Sequence, residues 1–131
     1  MSRMPLVADL MDRQFPTITP DTRIKEAIDL FVNEKLIGVL VVDAEGTLQG
    51  IFSEKDCLRV IIQHSFHQLP DDTVENYMHK VLATVDSKTD ILTVAQMFLA
   101  NNFRRLPVVD DGRLVGQITR RDIVRGMRKY R

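Results

Sequence analysis

The chain of 131 residues contains no tryptophan, one cysteine and five prolines, and only 6% of its residues are aromatic. Because Cys57 stands alone, no disulfide can form within the chain, which is typical of a reducing compartment. No apolar run approaches the roughly 18 residues that a membrane-spanning helix needs, and residues 1–5 lack the apolar core of a signal peptide. These absences predict a cytoplasmic protein that does not associate with membranes.

The chain also lacks an excess of positive or negative charge, since 18 Lys and Arg residues balance 18 Asp and Glu residues. A domain that binds nucleic acid usually has a basic surplus with interleaved aromatic residues, so nucleic acid is not an expected partner. The hydrophobic fraction of 44% and the charged fraction of 27% are those of an ordinary globular domain. Basic residues are concentrated at the end of the chain, where Arg125, Arg128, Lys129 and Arg131 are interpreted as a solvated face that suits the C-terminus of a helix.

The strongest positive signal is a signature that occurs twice, as Gly50-Ile51-Phe52-Ser53-Glu54-Lys55-Asp56 and as Gly116-Gln117-Ile118-Thr119-Arg120-Arg121-Asp122. The similarity extends over nearly the whole chain; for example, Asp43 recurs as Asp110 and Arg59 as Arg125. A unit of about 55 to 60 residues is at the lower limit for burying its own core, so the two copies are expected to form one compact module. We predict a first repeat over 4–62, a linker over 63–73 and a second repeat over 74–128.

The same order of elements is predicted in both copies. Apolar residues at helical spacing predict helices over 22–35 and 89–102, with Thr22 and Thr89 as N-caps. Short β-branched runs around hairpin turns that contain Gly46 or Gly112 predict pairs of strands. The remaining predicted elements are strands over 39–42, 48–52, 106–109 and 114–118, helices over 54–63 and 120–128, and short extended pieces over 17–19 and 84–86.

This order, the closing pattern G-h-h-[ST]-x-x-D and the Val-Val-Asp before each turn resemble a tandem pair of CBS domains, named after cystathionine β-synthase. The resemblance covers about residues 4–128. It implies an α+β fold of two pseudo-symmetric repeats, each a small three-stranded sheet with two helices, packed sheet to sheet around a central cleft. It further implies a regulatory module, commonly a homodimer, that binds an adenosine nucleotide such as AMP, ATP or NAD in that cleft. A conformational or oligomeric change would then act on a partner enzyme or transporter.

The resemblance also implies a set of ligand-binding residues. In the family the aspartate of the signature accepts hydrogen bonds from the ribose hydroxyls, the hydroxyl residue contacts phosphate, basic side chains neutralise the phosphates, and an extended segment reads the adenine edge through its backbone. The matching residues are Asp56 and Asp122 for ribose, Ser53 and Thr119 for phosphate, Lys55, Arg104, Arg105, Arg120 and Arg121 for charge, and Thr17, Ile18, Thr84 and Val85 for adenine.

The first copy departs from this pattern. Ile37 and Gly38 stand where Arg104 and Arg105 stand in the second copy, and Lys55 is the only cation inside its signature. The first half-site therefore binds a less charged group, takes arginines from across the cleft, or stays empty. Both signatures are also ordinary helix-capping pairs, in which the acid is stabilised by the helix dipole. A capping role and a ligand role are compatible, because one hydroxyl can serve both.

Catalysis and metal binding have little support in the sequence. Neither a G-x-S-x-G nor a G-x-x-x-x-G-K-[ST] motif occurs, and no nucleophile, base and orienting group form a plausible set, so the chain is expected not to be an enzyme. His64, His67 and Cys57 lack the partners that would complete a metal site, and no cofactor is expected to be required. The main alternative to a nucleotide sensor is a scaffold with a degenerate cleft, whose helices bury a homodimer or a partner protein.

Overall fold

A computed structural model of the chain describes residues 4–64, 68 and 70–129. The chain divides into two compact units. The central unit runs from Pro16 to Val81, and the terminal unit combines the chain up to Phe15 with the chain from Leu82 onward. Residues 65–67 and 69 of the predicted linker lie outside the described residues, as does Arg131.

Helices and strands follow the predicted order closely. The boundaries of the predicted strands over 39–42, 48–52, 106–109 and 114–118 and of the helices over 54–63 and 120–128 each lie within one residue of their expected positions. The helices predicted over 22–35 and 89–102 are shorter than expected, and each begins two residues later. In chain order the elements are α1 (Val7–Leu10), β1 (Thr17–Ile18), α2 (Ile24–Glu34), β2 (Gly38–Val42), β3 (Leu48–Ser53), α3 (Glu54–Gln63), a 3-10 turn (Val74–Asn76), α4 (Ile91–Ala100), β4 (Leu106–Asp110), β5 (Arg113–Ile118) and α5 (Arg120–Met127).

The two N-caps were predicted one residue too early. The N-cap of α2 is Arg23 and that of α4 is Asp90, whose carboxylate accepts a hydrogen bond from the Thr93 amide at 2.9 Å. The hydroxyls of Thr22 and Thr89 instead bond inside the turns that precede these helices; Thr22, for example, accepts from the Thr19 amide at 3.1 Å. A threonine that satisfies a local turn in this way is not available as a cap.

The central unit has a three-stranded sheet in the order β1-β2-β3. Strand β1 lies parallel to β2, with Thr17 beside Leu40, and β2 pairs with β3 in antiparallel register, with Gly38 opposite Ser53. This arrangement confirms the sheet predicted for the first copy. It places the hydroxyl of the first signature at the end of β3, where α3 begins.

The terminal unit has a sheet of only two strands, β4 and β5, with Leu106 opposite Ile118. The predicted third strand is reduced to one parallel bridge, between Val85 and Val108. The segment leaves the sheet because Ser87 turns to Asp110, whose carboxylate accepts from the Ser87 hydroxyl at 2.6 Å and from its amide at 3.0 Å. The α+β class is confirmed, and the third strand of the second copy is shorter than expected.

Each unit has its own hydrophobic core. In the central unit, the rings of Phe31 and Phe52 stack at 5.8 Å between centroids, among side chains of α2, β2 and α3. In the terminal unit, α1 and α4 pack on β4 and β5, and Val7 and Val94 are fully buried. No helix among the described residues is both long enough and apolar enough to cross a membrane.

The glycine of each signature lies under a segment from elsewhere in the chain. His79 exchanges two main-chain hydrogen bonds with Ile51, each 2.9 Å long, and Asp12 does the same with Gln117 at 2.8 and 3.0 Å. A Cβ atom on Gly50 would lie 2.7 Å from the His79 carbonyl oxygen, and one on Gly116 would lie 2.6 Å from the Met11 sulfur. Close packing therefore explains the glycine at both positions.

The single cysteine provides a test of the central core. Cys57 is buried, and its pKa is raised from 9.0 to about 11, chiefly because burial disfavours the thiolate and further because Asp56 lies close by. A rise of two units lowers the thiolate fraction at pH 8 by about 100-fold. We expect a disulfide reagent to modify Cys57 about 100-fold more slowly in the native protein than in urea. Equal rates in the two states would contradict this burial.

Candidate functional site

The second signature forms a closed capping pair at the start of α5. The Thr119 amide donates to Oδ2 of Asp122 at 2.9 Å, and the Asp122 amide donates to Oγ1 of Thr119 at 3.2 Å. This is the reciprocal arrangement of a capping box, so the capping interpretation is confirmed. Asp122 is only 8% exposed, which makes it one of two buried charged residues in the described part of the chain.

The buried carboxylate of Asp122 is paired with an arginine one turn further along α5. Nη2 of Arg125 lies 2.7 Å from Oδ1 of Asp122. Arg125 lies in the last turn of the helix, as predicted, but it also neutralises Asp122, which its assignment to a solvated face did not include. The carboxylate is thus held by a main-chain donor on one oxygen and by a guanidinium on the other.

Four further arginines lie around the start of α5. Arg120 and Arg121 form its first turn and are exposed, as is Arg104, whereas Arg105 is half-buried. The antiparallel register of β4 and β5, continued by one residue beyond Leu106, brings Arg105 level with Thr119. Burial and the neighbouring charge of Arg104 lower the pKa of Arg105, and its Nη1 lies 3.4 Å from Oε1 of Gln117. Together with the helix N-terminus, these side chains make a strongly cationic end of the sheet.

The extended segment of the terminal unit has fewer groups open to a ligand than its sequence suggests. The Val85 side chain is buried in the core, its amide donates to the Pro107 carbonyl at 3.0 Å, and its carbonyl accepts from the Val109 amide at 2.8 Å. Both main-chain groups of Val85 are therefore engaged within the sheet, while Thr84 is exposed. Of these two candidates, Thr84 is the one with accessible surface.

The first signature repeats the capping box in the central unit. Oδ2 of Asp56 accepts from the Ser53 amide at 2.9 Å and from the Ser53 hydroxyl at 3.0 Å, and the Asp56 amide donates to Oγ of Ser53 at 3.3 Å. Asp56 is 3% exposed. Lys55 lies exposed on the first turn of α3. The two signatures thus share one local geometry, and the central one has a single cation in its first turn.

The surroundings of Asp56 differ from those of Asp122 in the bond from the Ser53 hydroxyl and in a nearby histidine. Oδ1 of Asp56 lies 2.9 Å from Nη1 of Arg59 and also 3.0 Å from Nδ1 of His79. His79 belongs to the segment that pairs with Ile51 and is distant from Asp56 in sequence. Of the two adenine candidates in this unit, Ile18 is buried in the core and Thr17 is exposed.

Three functional candidates were missed from the sequence alone. Arg59 and Arg125 occupy equivalent positions of the repeat, and a side chain three residues after an aspartate on a helix can reach it, so their recurrence was an available signal. His79 carries no such signal, because its position corresponds to Asp12 in the other copy. Only the fold brings it to Asp56.

Comparison with known proteins identifies both repeats. The family model of the CBS domain matches residues 7–63 and 74–129. The crystal structure of CBSX2 in complex with AMP superposes with a TM-score of 0.82 at 32% identity, over 95% of this chain and 97% of that chain. The CBS domain pair of protein MJ0100, in complex with 5-methylthioadenosine and S-adenosyl-L-methionine, gives a TM-score of 0.72 at 27% identity, over 98% and 100% of the two chains.

A curated enzyme is also similar over part of its length. Inosine-5'-monophosphate dehydrogenase of Aquifex aeolicus is 36% identical over 87% of this chain but over only 22% of that enzyme. The chain spans less than half of the length of the first curated relatives that it matches. The likeness to the dehydrogenase thus extends to about a fifth of it and carries no argument for catalysis here. The chain belongs to the CBS domain family, of which it carries two copies in tandem.

Proposed function

We propose that this chain is a regulatory module that binds an adenosine nucleotide, AMP, ATP or NAD, through the terminal unit. The observation that carries the proposal is the start of α5, where the exposed Arg120 and Arg121 share the first turn with the buried Asp122. Arg104 and Arg105 directly precede β4, whose first residue Leu106 lies opposite Ile118, the last residue before this turn. Guanidinium groups suit phosphate because they offer parallel hydrogen bonds, and a fixed carboxylate suits the two hydroxyls of a ribose. The relatives whose structures hold AMP, 5-methylthioadenosine and S-adenosyl-L-methionine support an adenosine-containing ligand.

The start of α5 offers phosphate a further donor. In the central unit the first amide of α3, that of Glu54, donates to the Ile37 carbonyl at 2.9 Å. No such bond engages the amide of Arg120, its counterpart, within the described residues. An unbonded amide at a helix N-terminus, with the helix dipole behind it, favours an anion. The phosphate is therefore assigned to Thr119, Arg120 and Arg121.

Regulation would follow from binding without any chemical step. A nucleotide that binds one conformational or oligomeric state more tightly than another shifts the population toward that state by its difference in affinity. We propose that the chain acts as a homodimer and that a partner enzyme or transporter responds to the shift. Neither the reaction of that partner nor a resident cofactor is needed for this mechanism.

The test is a calorimetric titration with AMP, then ATP and NAD, of the parent protein and of Asp122→Ala and Arg120→Ala. We expect saturable binding of one nucleotide and a loss of affinity of about tenfold or more in each variant, because each removes a charge-assisted hydrogen bond. Arg113→Ala is the matched control, since Arg113 lies at the opposite end of β5 and should bind as the parent does. Binding by both test variants at the parental affinity would refute this site.

A scaffold is the second candidate, and one surface favours it. On α3 the apolar side chains of Leu58, Ile61 and Ile62 are 58%, 46% and 72% exposed. An apolar patch of this kind is a common feature of protein interfaces. Light scattering after gel filtration separates the two functions: one oligomer that persists at every nucleotide concentration, with no heat of nucleotide binding, would favour the scaffold.

A further inference from the structure

The two buried aspartates differ in how many acceptor positions remain open. A carboxylate has about four lone-pair positions, two on each oxygen. At Asp56 three are filled by hydrogen bonds, because Oδ2 accepts from the Ser53 amide and hydroxyl and Oδ1 accepts from Arg59 at 2.9 Å, and the His79 ring lies against Oδ1 with Nδ1 at 3.0 Å. The ring covers the fourth position, so a ribose hydroxyl can reach Asp56 only if the ring moves away.

Asp122 keeps two positions open. Oδ2 accepts only from the Thr119 amide, and Oδ1 only from Arg125, among the described residues. The counterpart of His79 in this unit is Asp12, which also pairs with the signature strand through its main chain. The Asp12 carboxylate accepts from the Gln14 amide at 2.9 Å and, having no proton to donate when ionised, cannot fill a position on Asp122.

His79 is held so that its ring reaches Asp56. Its amide and carbonyl both bond to Ile51, which fixes the backbone beside the signature. Nδ1 faces Asp56, and Nε2 lies 3.3 Å from Nη1 of Arg59. The two ring nitrogens point away from each other, whereas Oδ1 of Asp56 and Nη1 of Arg59 lie only 2.9 Å apart, so the ring lies side-on against this ion pair and covers it sterically. The ring is 53% exposed, so it covers Asp56 from the solvent side without belonging to the core.

We propose that His79, together with Arg59, closes Asp56 to ribose, so that each chain takes a single adenosine ligand, at Asp122. The inference rests on the proposed function and adds to it the number of ligands and the residue that sets this number. Positions 79 and 12 are equivalent in the repeat. The histidine at 79 covers Asp56, whereas the aspartate at 12 leaves Asp122 open. His79 acts here as a positioning residue, through the carboxylate that it covers.

The experiment has two calorimetric steps. Each protein is first titrated with AMP, and the AMP-saturated protein is then titrated with adenosine, which needs no phosphate-binding arginines. We expect the parent to bind one AMP and then no adenosine. His79→Ala, which frees one position on Asp56, is expected to bind one AMP at the parental affinity and then one adenosine, raising the total from one ligand to two.

Two further variants exclude a merely structural effect. His79→Phe keeps an aromatic ring over Asp56, so it should restore the parental total of one ligand. Lys80→Ala changes the next, exposed residue and should also bind one ligand. Two ligands in the parent, or a total of one in His79→Ala, would overturn the inference while leaving nucleotide binding intact. An absence of AMP binding in the folded parent would instead refute the proposed function itself.

Discussion

Replacement of Phe52 by alanine is expected to lower the free energy of unfolding by about 3–5 kcal/mol. The Phe52 side chain is fully buried, and its ring stacks on Phe31 at 5.8 Å with an angle of 11° between the planes. Truncation removes the transfer free energy of the ring and leaves a cavity between β3 and α2. Because a domain of this size is stable by only about 5–15 kcal/mol, the loss is a large fraction of the total.

The measurement is urea denaturation followed by circular dichroism, since the chain has no tryptophan to report fluorescence. Phe52→Leu keeps most of the volume and should cost about 1.5 kcal/mol or less. Leu99→Ala removes a side chain of helix α4 that is 89% exposed, and it should change stability by no more than about 0.5 kcal/mol. Equal losses in Phe52→Ala and Leu99→Ala would contradict the placement of Phe52 in the core.

A second large effect is expected at the signature glycines, and it should be unequal. In Gly50→Ala the new Cβ would meet the His79 carbonyl oxygen at 2.7 Å, so a main-chain segment must move. In Gly116→Ala the nearest atom, at 2.6 Å, is the sulfur of Met11, whose side chain can rotate away, although the Asp12 carbonyl oxygen lies at 3.0 Å. We expect Gly50→Ala to cost about 1–3 kcal/mol and Gly116→Ala to cost less.

The same denaturation experiment, on the two variants side by side, tests this order. The comparison is matched because both glycines hold the same place in the repeat and in their strands. A greater loss in Gly116→Ala than in Gly50→Ala would show that the flexibility of the covering atom does not decide the cost. Equal and negligible losses would show that neither segment is tightly packed on its glycine.

Local elements could be predicted from the sequence because their causes are local. The hydrophobic stripe of α2, the β-branched run of β2 and the left-handed residues Gly46 and Gly112, with φ of 86° and 79°, all act within a few positions of the chain. The prediction of Thr22 and Thr89 as N-caps was wrong for an equally local reason. Thr22 lies one residue before Arg23 and is committed to the preceding turn, a choice between two nearby hydrogen bonds that residue type does not decide.

The candidate site was predicted only as far as the signatures extend. The capping geometry of Ser53 with Asp56 follows from spacing, and so does the reach of Arg59. The contact of His79 with Asp56 and the engagement of both main-chain groups of Val85 depend on which distant strand lies alongside, which spacing does not encode. These non-local contacts decide which candidate groups are open to a ligand.

The way the units divide the chain bears on how such a protein could have arisen. Residues before Pro16 belong to the first copy in sequence but pack in the unit of the second, where Asp12 covers the strand of Gly116. Conversely, His79 lies near the start of the second copy but packs in the unit of the first, where it covers the strand of Gly50. An ancestral chain of one repeat would lack a covering segment in the right place unless it exchanged that segment with another molecule. Gene duplication makes the exchange internal to one chain, which removes its dependence on protein concentration. Duplication would therefore have turned an obligate association of two molecules into a property of one.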